Sequence, residues 1–379
     1  LGAARKVFKT ATETAFKKLD ALASVWCEWI EMELRHNNAH EALKLVQQAT
    51  AVPGNYKALL KAVNSQKDHK ITVQQRLFKA TRLWALYADL EESYGTYETC
   101  KAVYDRIIEL RIASPMIILN YARFLEQHQH FEESFRVYEQ GVDIFKYPHA
   151  EDIWLTYLVR FTERFKGKKP ERTRDLFEQA LEAAPAAHAK LIFLLYATFE
   201  EKHGLARHAM QVLERATKTV PEIERPKLYN IYIVKATQLF GVARTREIFE
   251  SAIESLPDKF VRGFCLRYAQ LERKLVEIDR ARAIYTHCAQ FCDPAVDGQF
   301  WDIWSEFEES HGNRDTYTDM LRVRKGVVAK FSSGANLLAS QLELARRARE
   351  EKEAKAKEAA AQPKFEGVYE DKDEEIQIE

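Results

Sequence analysis

The stretch Phe300-Trp301-Asp302-Ile303-Trp304-Ser305-Glu306-Phe307-Glu308 carries an aromatic at Trp301, another at Trp304, then Phe307 followed at once by Glu308. Positions i, i+3 and i+6 share one face of a helix, so this is an amphipathic helix with an aromatic stripe. The middle aromatic recurs upstream at Tyr268, Tyr232, Tyr196, Tyr157, Tyr121, Tyr87 and Trp29, at backward steps of 36, 36, 36, 39, 36, 34 and 58 residues. Self-similarity at such a period is the signature of a repeat array, in which each unit is one supersecondary motif.

A second helix accompanies each of these, with Ala281-Arg282-Ala283-Ile284-Tyr285-Thr286-His287-Cys288 as its type. The position of Tyr285 is filled earlier by Phe249, Leu213, Phe177, Tyr138, Tyr104, Val46 and Phe8, and later by Leu321. Four residues before it stands a small side chain at Ala4, Ala42, Cys100, Ser134, Thr173, Ala209, Thr245 and Ala281, with Tyr317 as the exception. Small residues let two helices approach, and the bulky residue one turn on fills the space beside them. Pro53, Pro115, Pro148, Pro185, Pro221, Pro257 and Pro294 follow the second helices and read as their terminators, because proline cannot continue a helix.

Two patterns advancing together predict an all-α fold, a right-handed superhelical solenoid of antiparallel helix pairs. A lone pair would leave apolar faces in water, and stacking buries them. An aromatic side chain removes roughly 150–250 Å² from water, worth about 4–6 kcal/mol at ~25 cal/mol/Å². The array is expected over 1–330: a half repeat at 1–18, then eight helix pairs. Both 58-residue steps, Trp29 to Tyr87 and Val46 to Tyr104, preserve the spacing inside a pair. The extra residues therefore fall between pairs, in a polar surface insertion near 51–76 containing Pro53-Gly54. Residues 331–361 read as a charged helix whose start docks through Leu337, Leu338, Leu342 and Leu344. Residues 362–379 read as an acidic disordered tail. The opening half repeat, and Leu in place of Met at position 1, mark the chain as a piece of a longer protein.

Composition agrees. Apolar residues make up 46%, enough for a continuous core, and 13 Gly with 10 Pro are too few for a sandwich of tight turns. Charges balance at 57 against 57, so any nucleic-acid contact needs a local patch. Five cysteines without a CxxC pair suit a reducing compartment. The most apolar run, Leu191 to Phe199, is too short to cross a bilayer.

The repeat is close to the tetratricopeptide repeat in length and in its Ala…Phe…Pro second helix. Its first helix differs: the Leu-Gly pair is absent, and Trp84-Ala85-Leu86-Tyr87-Ala88-Asp89-Leu90-Glu91 shows the aromatic spacing in its place. This resembles the half-a-TPR (HAT) repeat over residues 4 to 324, although Arg160 and Lys235 occupy slots meant for a bulky apolar residue. Other stretches resemble the Syf-type (XPA-binding protein) splicing-factor family of the NineTeen complex. They are Ala88-Asp89-Leu90-Glu91-Glu92-Ser93, Lys101-Ala102-Val103-Tyr104-Asp105-Arg106, Asp175-Leu176-Phe177-Glu178-Gln179-Ala180-Leu181, Gly204-Leu205-Ala206-Arg207-His208-Ala209-Met210 and residues 275–285. The resemblance implies a nuclear scaffold of the spliceosome, not an enzyme. It also implies partners among crooked-neck-type HAT proteins and other NineTeen-complex members, and a link to transcription-coupled DNA repair. Rival readings are a HAT scaffold of another machine, such as mRNA 3′-end cleavage, and the helical α-subunit of a protein prenyltransferase. The last would need a charged His/Tyr/Lys surface at fixed repeats, and none recurs.

No catalytic, cofactor or metal motif stands out. His36 and His40 have the spacing of two metal ligands but enclose Asn37-Asn38-Ala39, without the Glu of a metalloprotease helix. Cys288 takes the small-residue slot held by Ala180, Ala216 and Ala252. The candidate partner-binding residues are Arg164, Lys166, Lys168, Lys169, Arg172 and Arg174, in a turn between two helices. They suit an RNA backbone or an acidic partner. Phe165 is the one aromatic within that run, which argues against base reading.

Overall fold

The computed structural model describes residues 1–54, 72–332, 341–342 and 344–350, and among them the regular structure is helical throughout. The chain divides into two compact units, Leu1–Thr219 and Val220–Glu379.

In the first unit α1 (Gly2–Glu13) lies against α2 (Leu19–Arg35), which pairs with α3 (Ala39–Ala49). A short α4 (Val73–Arg76) runs into a 3-10 turn at Leu77–Lys79. Then come the pairs α5 (Thr81–Tyr94) with α6 (Tyr97–Glu109), α7 (Pro115–Gln127) with α8 (Phe131–Ile144), α9 (Glu151–Phe165) with α10 (Pro170–Ala183), and α11 (Ala189–His203) with α12 (Ala206–Thr219). In the second unit α13 (Arg225–Phe240) pairs with α14 (Val242–Ser255), α15 (Asp258–Lys274) with α16 (Ile278–Ala289), and α17 (Gly298–His311) with α18 (Arg314–Phe331). Turns of a few residues join the partners of each pair, which makes them antiparallel.

The small-residue positions are where the helices meet: Ala42, Cys100, Ser134, Thr173, Ala209, Thr245 and Ala281 are all buried. The two aromatic patterns meet each other. The second-helix aromatic of one pair stacks on the first-helix aromatic of the next, for Tyr104 on Tyr121 (centroids 4.7 Å, planes 7° apart), Tyr138 on Tyr157 (5.3 Å, 13°) and Phe177 on Tyr196 (4.8 Å, 4°). The second unit repeats this with Phe249 on Tyr268 (5.0 Å, 1°) and Tyr285 on Trp304 (6.2 Å, 13°). Offset-parallel rings are a favoured aromatic geometry, worth about 0.5–1.5 kcal/mol beyond their burial. Tyr87 and Tyr232 are only half-buried members of the stripe.

A second junction device is polar. Arg5, Arg174, Arg246 and Arg282 each follow the small residue of a second helix. Each reaches a buried glutamate near the end of the next first helix: Glu33 (2.6 Å), Glu200 (2.7 Å), Glu272 (2.8 Å) and Glu308 (2.9 Å). A buried carboxylate needs such a partner, because a charge left unpaired in the interior is costly. At the junction of α8 with α9 the same two slots hold Phe135 and Phe161, with rings 5.1 Å apart.

Some details depart from the sequence reading. Pro115 opens α7 behind the N-cap Ser114, and Pro257 is the N-cap of α15, so these two begin a helix as much as they follow one. Val73, at the end of the insertion, is buried, as are Leu77, Phe78 and Ala80 just after it, and the Trp84 indole donates to the Phe78 carbonyl at 2.7 Å. Leu342 and Leu344 are exposed and do not dock. Arg347 makes the tie there, on Asp297 at 2.8 Å, beside Arg262 on the same carboxylate. Leu337, Leu338, most of the expected insertion and the acidic tail lie outside the described residues. No helix among the described residues is long and apolar enough to cross a membrane.

Candidate functional site

The turn between α9 and α10 is built from two consecutive left-handed residues, Lys166 (φ 43°) and Gly167 (φ 77°). Gly167 is required twice over: its φ disfavours a side chain, and a Cβ would press on His203 at 2.9 Å. The Lys166 amide closes α9 on the Thr162 carbonyl (2.9 Å), and the Lys168 amide donates to the Phe165 carbonyl (2.8 Å). The turn is thus closed by its own backbone hydrogen bonds, and Lys166, Lys168 and Lys169 are exposed on it.

Arg174 leaves this set. Its guanidinium turns inward to Glu200, with Nε–Oε1 at 2.7 Å and Nη2–Oε2 at 2.9 Å, and its Nη1 holds Glu171 at 2.7 Å. Burial pushes the pKa of Glu200 up, but Arg174 and His208 outweigh it and the net shift is downward. Arg174 thus joins two helix pairs. Arg164, Lys166, Lys168, Lys169 and Arg172 stay on the surface.

Three of these five lie over aromatic rings: Arg164 over Phe131 (4.0 Å to the centroid), Lys169 over Phe165 (4.5 Å) and Arg172 over Phe161 (5.5 Å). A cation over a ring face is held by the ring quadrupole and keeps its edge donors toward solvent. Between Phe131 and the loop opens a cleft of about 460 Å³, lined by Glu126, Phe131, Arg160, Glu163, Arg164, Lys166 and Lys168. Arg160, in the slot where a bulky apolar residue was expected, reaches Glu126 at 3.5 Å and Glu163 at 3.2 Å. Phe131, Arg160 and Glu126 were not legible as part of this site. The available signal was the repeat period, which sets the turn just before Phe131 one repeat ahead of the turn at Lys166 and brings successive turns side by side.

The other constellations are structural. His36 is the C-cap of α2 and His40 lies in the first turn of α3. The left-handed Asn37 sits between those helices. Cys288 and Cys292 are buried, with sulfurs 3.8 Å apart, and Cys288 stands in register with buried Ala180, Ala216 and Ala252. Among the described residues no group of three or more His, Cys, Asp or Glu is placed to hold a metal ion.

Antiparallel helix pairs joined by aromatic stacks, and at four junctions by an Arg–Glu bridge, with charged turns left at the surface, define a helical-repeat protein. The family described as "Pre-mRNA-splicing factor Syf1/CRNKL1 C-terminal HAT repeat" matches residues 1–378, and the chain belongs to that family. It is 53% identical over 338 residues to the Drosophila melanogaster pre-mRNA-splicing factor syf1 homolog, covering 89% of this chain and 38% of that protein. It is 51% identical to the Homo sapiens pre-mRNA-splicing factor SYF1, covering 89% of this chain and 39% of that one. The Schizosaccharomyces pombe pre-mRNA-splicing factor cwf3 is 46% identical, over 87% of this chain and 41% of its own length. The chain thus spans about two fifths of these curated relatives.

Proposed function

We propose that this chain is the repeat segment of a nuclear pre-mRNA splicing factor and works as a scaffold, not a catalyst, holding spliceosome proteins together. The family match along residues 1–378 carries this reading. The geometry supports it, because the periodic aromatics and the Arg–Glu bridges are taken up inside the stack. That leaves rigid surfaces with charged turns for partners. Repeat arrays bind through extended surface on several repeats, so affinity is distributed and not held in one pocket. The protein partners are crooked-neck-type HAT proteins and other NineTeen-complex members. The turn carrying Arg164, Lys166, Lys168, Lys169 and Arg172 is one contact among several.

The test is recovery of the tagged chain from nuclear extract, with bound proteins identified by mass spectrometry. Splicing proteins should dominate. Recovery of mRNA 3′-end cleavage factors, or of a single prenyltransferase β-subunit, would overturn the proposal.

A further inference from the structure

We propose that the cleft between Phe131 and the Lys166–Lys168 turn receives an acidic segment of a protein partner, and not the phosphate backbone of RNA. This deepens the scaffold reading above, on which it rests, by naming the chemistry of one contact.

The first argument is charge accounting within the site. Two arginines hold four of the carboxylates around the turn: Arg160 holds Glu126 and Glu163, and Arg174 holds Glu171 and Glu200. Among the described residues no ion pair is left for Arg164, Lys166, Lys168, Lys169 or Arg172. Five like charges, on the turn and on the ends of the two helices it joins, repel one another, and an incoming anion relieves that repulsion. The second argument is preorganisation. The Arg164 guanidinium is held 4.0 Å from the Phe131 ring centroid and lines the cleft, and an arginine held in place there can take a carboxylate with two parallel bonds.

Three observations favour a peptide over RNA. The cations of this site run only from residue 164 to 172 in a chain whose net charge is zero, whereas a phosphate backbone is tracked by an extended basic stripe. Phe131, Phe161 and Phe165 already carry cations on their faces, which leaves no bare ring there for a base to stack on. Glu126 and Glu163 share the single cation Arg160, so the cleft wall keeps one negative charge in excess that would oppose a continuous row of phosphates, while a peptide can set a neutral residue against it.

The experiment uses the purified full chain and fluorescence anisotropy with two labelled probes of equal charge, a Glu/Gly peptide and an oligouridylate. The peptide should bind more tightly, and its affinity should fall as salt rises. The double variant Arg164→Glu, Lys168→Glu should weaken peptide binding at least tenfold, because exposed charges at a contact set its electrostatics. Lys259→Glu with Lys325→Glu, exposed cations in the other unit, should leave it unchanged. All four positions are exposed, so helical circular dichroism and melting should match the parent. Peptide binding equal in the Arg164/Lys168 variant and the parent would overturn the proposal, as would tighter binding of the oligouridylate. Because purified components are used, that failure is distinct from failure to recover splicing proteins from extract.

Discussion

Phe249 and Tyr268 lie face to face, ring centroids 5.0 Å apart and planes 1° from parallel. Phe249 belongs to the second helix of one pair and Tyr268 to the first helix of the next, so the stack spans a junction between repeats. The Tyr268 hydroxyl donates to Glu250 at 3.1 Å, one residue beyond Phe249. Burial and Glu250 together push the Tyr268 pKa up to about 12. Tyr157 repeats the arrangement, stacked on Tyr138 and bonded to Glu139 at 3.1 Å.

The junction stack predicts coupled losses. Tyr268→Ala and Phe249→Ala should each destabilise by about 3–5 kcal/mol, as for a large aromatic removed from a core. The double variant should fall short of the sum by about 0.5–1.5 kcal/mol, the part of the energy belonging to the ring pair itself. Urea unfolding of the four proteins checks this. Strict additivity would mean that the two rings are buried independently.

The buried glutamates near the ends of the first helices explain three glycines. Gly95, Gly204 and Gly312 each follow Glu91, Glu200 or Glu308 by four residues, and in each a Cβ would land inside that carboxylate. Gly204→Ala should therefore cost about 1–3 kcal/mol by overpacking. Gly263, inside α15, has open space where a Cβ would stand, with nothing within 4 Å. Gly263→Ala should gain about 0.5–1 kcal/mol through helix propensity. Thermal melts of both variants decide the signs, and a loss in both would contradict this account.

Much of this was legible before the structure, and the gaps have a physical pattern. The positions of Phe249 and Tyr268 follow from periodicity within single helices, which a linear sequence displays. That they stack on each other does not, because the offset between them is set by how neighbouring pairs pack. Arg174 shows the same limit: it sits among the loop cations in sequence, yet the helix turns it toward Glu200. Phe131 lies a whole repeat away from the loop whose Arg164 covers it. The pairing of Arg174 with Glu200, Arg246 with Glu272 and Arg282 with Glu308 recurs at a spacing of 26 residues. That period is present in the sequence, but only the packing of neighbouring pairs shows that the two residues touch.

The bridge of α1 predicts an acid response. The hydrogen bond from Arg5 holds the Glu33 carboxyl down at about 2, from an ordinary value of 4.5. A depressed carboxylate pKa adds stability that is complete above the unfolded value and lost as pH falls through the folded one. The stability difference between the parent and Arg5→Met should thus be constant down to about pH 4.5, narrow below it, and vanish near pH 2. Urea titrations followed by tryptophan fluorescence report it, since Trp29 stacks on Phe8 of α1. A difference independent of pH would show that the methylenes of Arg5 matter and its charge does not.

The turns between paired helices predict a stabilising exchange. Asn37, Gln129 and Val276 hold equivalent places, each one residue past the C-cap of a first helix, with φ of 58°, 66° and 63°. Asparagine tolerates the left-handed region, whereas a β-branched side chain is strained there by roughly 1–2 kcal/mol. Val276 gains nothing in return from packing, because 78% of its surface is exposed. Val276→Asn should therefore raise stability by about 1 kcal/mol, and Asn37→Val should lower it by a similar amount. The two variants test one quantity in opposite directions at two sites of the same geometry. Equal stability of parent and both variants in urea would mean that the turn relaxes out of the left-handed region at no cost.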